Sequence, residues 1–167
     1  MSNASLAAFD SSLPLGTVAL RSWKSMKTPV MVWLWYLNAL YWVGFLYLPR
    51  PEAVWALAAY FAVGPLIAAM IISQRGLTRL AGLIHLPWVP LTAYLGLRLF
   101  TDLLGAPLAA ADDAVYYFWM QLVFWSTLAC ISLDAIDVVR WLRGERYVLG
   151  TPAAAERGAS KLAPQRG

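Results

Sequence analysis

Two aspartates and one histidine are the residues of this sequence whose types and spacing are best suited to chemistry. Asp134 and Asp137 follow a long apolar run and lie three residues apart, so a helix would place both on one face. His85 comes six residues after Arg79, and Asp134 comes six residues before Arg140. Two antiparallel helices would therefore hold His85 and Asp134 at similar depth. Imidazole beside carboxylates is suited to a proton relay or a cation site, which predicts a polar cluster of His85, Asp134 and Asp137.

The same three residues also have a structural interpretation, which the sequence favours. Asp137 can pair with Arg140, and Asp134 can pair with Arg79. His85 can bond to backbone carbonyls that nearby prolines leave without donors. Both interpretations stay open at this point.

Catalytic and cofactor chemistry is otherwise hard to find in this sequence. One cysteine and one histidine cannot form a Cys-rich zinc site, an iron–sulfur site or a three-histidine zinc site within one chain. No phosphate-binding glycine loop and no nucleophile elbow occurs. We therefore expect no catalytic residue, no metal and no cofactor.

Polar or helix-interrupting residues occur at the middle of three apolar runs. Asn38 can bond to a neighbouring helix or contact a substrate. Gly64 and Pro65 interrupt a second run, and Pro87 and Pro90 interrupt a third. Interrupted helices line the cavities of many transporters, but a kink that improves packing is the simpler explanation.

The composition identifies the environment that must position these residues. Of the 167 residues, 60% are apolar and 13% are charged, whereas soluble domains average about 45–50% and about 25%. This composition argues against a soluble enzyme, a nucleic-acid-binding domain and a disordered chain. It predicts an all-α, polytopic membrane protein.

Four apolar stretches predict a bundle of four transmembrane helices. They cover approximately residues 30–48, 53–73, 77–97 and 115–133, and the last helix is expected to extend to about residue 143. The third helix should be kinked or broken at Pro87 and Pro90, because proline removes a backbone donor. The organisation is then an N-terminal tail with an interfacial anchor (1–28), a transmembrane domain (29–143) and a disordered basic tail (144–167).

The distribution of positive charge orients these helices. If the N-terminus is cytoplasmic, 11 of the 13 basic residues lie on the cytoplasmic side, and only Arg50 and Arg98 lie outside. This bias predicts a multi-pass protein of a cell inner membrane with both termini in the cytoplasm. Anionic lipid explains the basic tail without a nucleic-acid partner. The expected lipid-headgroup anchors are Arg21, Trp23, Lys24, Lys27, Arg140 and Arg143.

These features predict a protein without catalytic activity. We expect an accessory, assembly or scaffold subunit of a membrane complex, whose partners are lipids and other membrane subunits or further copies of the chain. The alternative is a small oligomeric transporter or channel that uses His85, Asp134 and Asp137. An enzyme acting on lipids or isoprenoids would need paired carboxylates to hold magnesium, and Asp134 with Asp137 is only half of such a site.

Overall fold

The computed structural model describes residues 7–163, and 69% of these residues are helical. No strand occurs among the residues that it describes. The predicted tails also include residues 1–6 and 164–167, which lie outside the described residues. The α-helices from residue 15 onward are α1 (Leu15–Lys24), α2 (Thr28–Trp42), α3 (Pro51–Gln74), α4 (Trp88–Phe100), α5 (Ala114–Leu142) and α6 (Pro152–Glu156).

Three helical segments are long and apolar enough to cross a membrane. They are α2 with the 3₁₀ helix that follows it (Thr28–Tyr47), α3, and α5. A fourth candidate consists of the 3₁₀ helix Arg79–His85 and α4, which are bent by 49° relative to each other. The chain therefore has three candidate spans, or four if the bent pair crosses as one, which is consistent with a multi-pass membrane protein.

The bend in the fourth candidate occurs at the predicted prolines, which have different roles. Pro87 is the residue immediately before α4, and Pro90 lies in the first turn of that helix. The first backbone N–H groups of a helix have no acceptor within it, so a proline there removes no helical hydrogen bond. Pro90 is therefore not a break position, because the helix continues through it.

The predicted interruption at Gly64 and Pro65 is wrong. Helix α3 continues from Pro51 to Gln74 with Pro65 in its interior. Proline removes one helical donor, but unwinding the helix would expose several backbone groups to lipid, where no water can bond to them. An apolar environment thus favours a continuous helix at a site where the sequence suggests a break.

The chain divides into two compact units. Unit one consists of Met1–Trp33, Pro65–Ile84 and Asp134–Gly167, and unit two consists of Leu34–Gly64 and His85–Leu133.

Unit one joins segments from the two ends of the chain. The backbone N–H of Val148 donates to the Ala7 carbonyl at 2.9 Å, and that of Lys161 donates to the Ser25 carbonyl at 2.7 Å. The region after residue 143, for which the sequence favours disorder, thus has a defined path as far as residue 163. Backbone groups and small side chains make these contacts, so a search for hydrophobic periodicity does not predict them.

Unit two has a core of aromatic and aliphatic side chains. Tyr116 is almost fully buried, and the indole Nε1 of Trp119 donates to the Leu40 carbonyl at 2.9 Å. Gly44 allows a close approach, since an added Cβ there would lie 3.1 Å from Cγ of Leu57. This packing holds α2, α3 and α5 together within the unit.

Candidate functional site

A buried glutamate joins three helix ends in unit two. Glu52 lies in the first turn of α3, and only 2% of its side chain is exposed. Its Oε1 accepts a hydrogen bond from Nε of Arg98 at 2.7 Å, and its Oε2 accepts one from the Tyr116 hydroxyl at 2.9 Å. Arg98 lies in the last turn of α4, and Tyr116 lies in the first turn of α5. A buried carboxylate requires such partners, because an unpaired charge in the interior is strongly destabilising.

Arg98 also determines the path of the loop between α4 and α5. Its Nη1 donates to the carbonyls of Leu104 and Ala106, both at 3.0 Å. Gly105, between these two residues, has a φ of +94°, which glycine adopts without a steric penalty. The arginine therefore bonds to the helix-end carboxylate and to the loop at the same time.

A pocket of about 150 Å³ lies beside this cluster in unit two. Arg50 donates through Nη2 to Oδ2 of Asp113 at 2.9 Å, and its guanidinium lies 4.4 Å from the ring centroid of Tyr116. Cationic, anionic and hydroxyl groups thus meet at one opening. The residues that line it are Arg50, Arg98, Ala106, Pro107, Leu108, Ala109, Asp112, Asp113, Tyr116 and Tyr117.

No motif or spacing in the sequence identifies these residues as a site. Charged residues near helix ends are common, and Glu52 gives no local indication that it is buried. One signal was available: Arg50 and Arg98 are the two basic residues that the charge distribution assigns to the otherwise acidic side. The positions of these two cations, which depart from the general charge bias, are explained by their carboxylate partners Asp113 and Glu52.

The predicted residue Asp137 lies in unit one and forms an ion pair with Arg79. Nε of Arg79 also lies 2.8 Å from Oε2 of Glu145 and 3.0 Å from the Tyr147 hydroxyl. Arg140, the partner that the sequence suggests for Asp137, instead contacts Oε1 of Glu145 at 3.0 Å. Asp137 is therefore one of two carboxylates that share Arg79.

Glu145 lies beyond the end of α5 and is held as an anion. Hydrogen bonds from Arg140 and Tyr147 lower the pKa of the Glu145 carboxyl to about 2. Burial raises the pKa of the Tyr147 phenol above its ordinary value. The phenol therefore stays protonated and able to donate to Glu145 at neutral pH.

Asp134 lies one turn before Asp137 on α5 and also belongs to unit one. Its backbone is close to Gly82 of the 3₁₀ helix, where an added Cβ would lie 2.9 Å from the Asp134 carbonyl oxygen. The absence of a side chain at Gly82 therefore permits this close approach. The side chain of Asp134 is half-buried.

His85 lies in unit two, whereas Asp134 and Asp137 lie in unit one, so the predicted cluster draws on both units. Nδ1 of His85 is 3.8 Å from Sγ of Cys130, a distance that suits a weak hydrogen bond to sulfur. The imidazole centroid lies 4.2 Å from that of Trp88. Within unit two, His85 thus contacts a thiol and an indole.

Asn38 makes the cross-helix contact that favours its structural interpretation. Its Nδ2 donates to the Leu34 carbonyl at 2.7 Å, and its Oδ1 accepts a hydrogen bond from the Tyr60 hydroxyl. The amide therefore links α2 to α3 through a side chain.

The predicted headgroup anchors differ in exposure, and their role stays a prediction. Lys24, Lys27, Arg140 and Arg143 are exposed, whereas Arg21 and Trp23 are half-buried.

Comparison with known proteins gives no assignment for this site. No protein-family model matches the chain, and no curated protein or solved structure is significantly similar to it.

Proposed function

We propose that this protein is a non-catalytic subunit of a membrane complex and that it docks through α3 against a transmembrane helix of another protein. The observation that carries the proposal is the burial of that helix. Only 11% of the apolar window of α3 is buried within the chain, against 22% for the windows of α2 and α5. Most of the α3 surface is thus left for lipid or for a partner.

Small residues on α3 favour a protein partner over lipid. Gly64 is exposed, and an added Cβ would meet no atom within 4 Å, so packing within the chain does not require glycine there. Glycine inside a helix costs about 1 kcal/mol relative to alanine. Ala68, one turn later, is also exposed. Small residues at this spacing allow membrane helices to approach closely, which is a reason for Gly64 that lies outside the chain.

Hydrogen bonds between polar side chains of the spans support a structural role. Asn38 is bonded to Tyr60, and the hydroxyls of Tyr36 and Ser126 are 2.9 Å apart. The Thr92 hydroxyl donates to a backbone carbonyl of its own helix at 2.8 Å. Groups engaged in this way stabilise helix packing and are poorly placed to act on a substrate.

A photo-crosslinking amino acid at Ala68 tests the proposal in cells that make the protein naturally. We expect a covalent adduct with another integral membrane protein, which mass spectrometry identifies. The matched control is Ala129, an exposed alanine of α5, which should give no such adduct. Gly64→Leu should reduce the Ala68 adduct about tenfold, as expected for an overpacked interface, without lowering the unfolding temperature of the purified protein.

Two outcomes would contradict the proposal. Adducts at Ala68 with lipid alone would mean that α3 faces the bilayer. Adducts with a second copy of the chain would mean that α3 forms a homo-oligomer instead of binding a different protein.

The same proposal includes four spans, with both chain ends in the cytoplasm at a cell inner membrane. The hydrogen bonds between the N-terminal and C-terminal segments of unit one support placing both ends on one side, and the basic residues favour the cytoplasm. In a Cys130→Ser background, an impermeant maleimide should label Leu103→Cys in intact cells. It should label Ser12→Cys and Arg157→Cys only after permeabilisation, and the reverse pattern would contradict the orientation.

The alternative function, a small transporter, depends on His85, Asp134 and Asp137. The ion pair between Asp137 and Arg79 favours a structural role for that carboxylate. Proton or cation flux into proteoliposomes would distinguish the two functions. Equal flux with wild type and with Asp134→Asn would argue against transport through this carboxylate.

A further inference from the structure

The geometry points to a lipid site: the pocket in unit two binds the phosphoethanolamine headgroup of a phospholipid, with the phosphate on Arg50 and the ammonium on Asp112. This lipid site does not depend on the proposal that another subunit docks on α3.

The pocket lies at the ends of three candidate spans. Helix α3 begins at Pro51, α4 ends at Phe100, and α5 begins at Ala114. Span ends lie at the depth of lipid headgroups. Phe100, Leu103 and Val115, which lie at these helix ends and in the loop between α4 and α5, are 53%, 74% and 71% exposed. Apolar surface suited to acyl chains is therefore available near the same helix ends. The volume of about 150 Å³ holds several waters or a headgroup, so the acyl chains would remain outside.

Arg50 is the better placed of the two arginines to bind a phosphate. Its guanidinium makes one hydrogen bond among the described residues, to Asp113, and 42% of its side chain is exposed. A guanidinium has five N–H donors, so it can bind phosphate oxygens in a bidentate manner while this bond persists. Arg98, by contrast, is only 18% exposed and bonds to Glu52 and to the loop carbonyls.

Asp112 and Tyr117 complete the polar lining. Asp112 is exposed, and its carboxylate has no hydrogen bond or ion pair among residues 7–163. A primary ammonium offers it three N–H donors. The Tyr117 hydroxyl accepts a hydrogen bond from Gln121 at 2.9 Å, which leaves its proton for a phosphate oxygen.

The charges of the pocket favour a zwitterion over an anion. Arg50 is paired with Asp113, and Arg98 is paired with Glu52, so Asp112 contributes an unbalanced negative charge. A headgroup with phosphate alone would meet this charge without compensation. A choline headgroup carries a positive charge but no N–H donor for Asp112. Phosphoethanolamine satisfies both halves of the pocket.

Native mass spectrometry of the full-length protein in mild detergent tests the site. The probes are phosphatidylethanolamine, phosphatidylcholine and phosphatidylglycerol with identical acyl chains at equal concentration. We expect phosphatidylethanolamine to be retained about tenfold more than the others, as for one charge-assisted hydrogen-bond set. Asp112→Asn should abolish this preference. Asp102→Asn, an exposed aspartate of the same loop outside the pocket lining, should preserve it.

An arginine variant and a displacement experiment test the site further. Arg50→Lys keeps the positive charge but loses the paired N–H donors of the guanidinium. It should lower retention of phosphatidylethanolamine without changing the unfolding temperature. An unchanged lipid preference in Asp112→Asn, or equal losses in Asp112→Asn and Asp102→Asn, would overturn the site. Displacement of bound lipid by micromolar free phosphoethanolamine would overturn the lipid source and assign the pocket to a soluble compound. Resistance to millimolar phosphoethanolamine and inorganic phosphate supports the lipid.

Discussion

Each unit of the molecule contains an arginine paired with a glutamate that also accepts a hydrogen bond from a tyrosine hydroxyl, but the two clusters differ in burial. In unit two, Arg98 is 18% exposed and its partner Glu52 is 2% exposed. In unit one, Arg79 is 11% exposed, whereas its partners Asp137 and Glu145 are 43% and 21% exposed. The carboxylate partner is therefore buried in unit two and partly exposed to solvent in unit one. A buried carboxylate depends entirely on its partners, whereas an exposed one can exchange them for water.

The number of carboxylates per arginine also differs. Arg79 contacts two carboxylates, while Arg98 contacts one carboxylate and two backbone carbonyls. Loss of one acid in unit one leaves the arginine with another anion. Loss of Glu52 leaves Arg98 without any. We therefore expect unit two to be the more sensitive of the two clusters to a single substitution.

The largest effect should follow Glu52→Ala. Removing one partner of a buried ion pair costs about 3–5 kcal/mol, because the remaining charge stays buried without compensation. The measurement is the free energy of unfolding in mixed detergent micelles. The double variant Glu52→Leu with Arg98→Met should recover part of this loss. If Glu52→Ala lowered the free energy of unfolding by only about 1 kcal/mol, as for an exposed ion pair, the proposed difference between the two units would be wrong.

A smaller effect is expected for Arg79→Met in unit one. The methionine removes the shared cation from Asp137, Glu145 and Tyr147, but the two partly exposed acids can be solvated by water. The loss of its charged hydrogen bonds should cost about 1.5–3 kcal/mol. The same unfolding assay measures it, with exposed Arg143→Met as the matched control. A loss larger than that of Glu52→Ala would reverse the comparison.

Asp137→Asn should have a lesser effect, within about 1 kcal/mol, because the pair is partly exposed and Arg79 keeps Glu145. Thermal unfolding of the purified variant measures this loss. Salt provides a second readout, since screening should reduce the difference from wild type. A cost of several kcal/mol would show that Asp137 behaves like Glu52.

The smallest effect concerns the titration of Glu145, which changes the stability of the fold only in acid. Its pKa is lowered from 4.5 to about 2, so the folded state keeps the charge where the unfolded state takes up a proton. This contribution is complete above about pH 4.5 and is lost as the pH falls toward about 2. The difference in unfolding temperature between wild type and Glu145→Gln should shrink over that range. A constant difference would contradict the assignment.

The sequence predicted the spans well and the interruptions less well. Apolar runs near residues 30–48 and 115–133 correspond to Thr28–Tyr47 and Ala114–Leu142. Proline behaved differently at its several positions: Pro87 marks a bend, Pro90 lies inside a helix start, and Pro65 lies within a continuous helix. Each proline lacks a backbone N–H donor, but its position in the helix and the surrounding apolar segment decide whether the helix breaks there.

Side-chain partners were harder to predict than spans. The sequence suggested that Asp137 pairs with Arg140, which comes three residues later on the same helix. Asp137 instead contacts Arg79, and Arg140 contacts Glu145. Arg79 lies on a segment remote from α5 in sequence, and its ion pair with Asp137 forms only when the two segments pack together.

The sequence by itself determined the helical class of the chain and its candidate membrane spans, because the transfer of an apolar run from water to lipid depends on the residues of that run alone. The tertiary structure decided which charges are buried and what they contact. Glu52, Arg98 and Tyr116 come from the ends of three helices, and no local pattern predicts their meeting. Burial and pairing depend on the distances between segments that are remote in sequence, and only packing sets those distances.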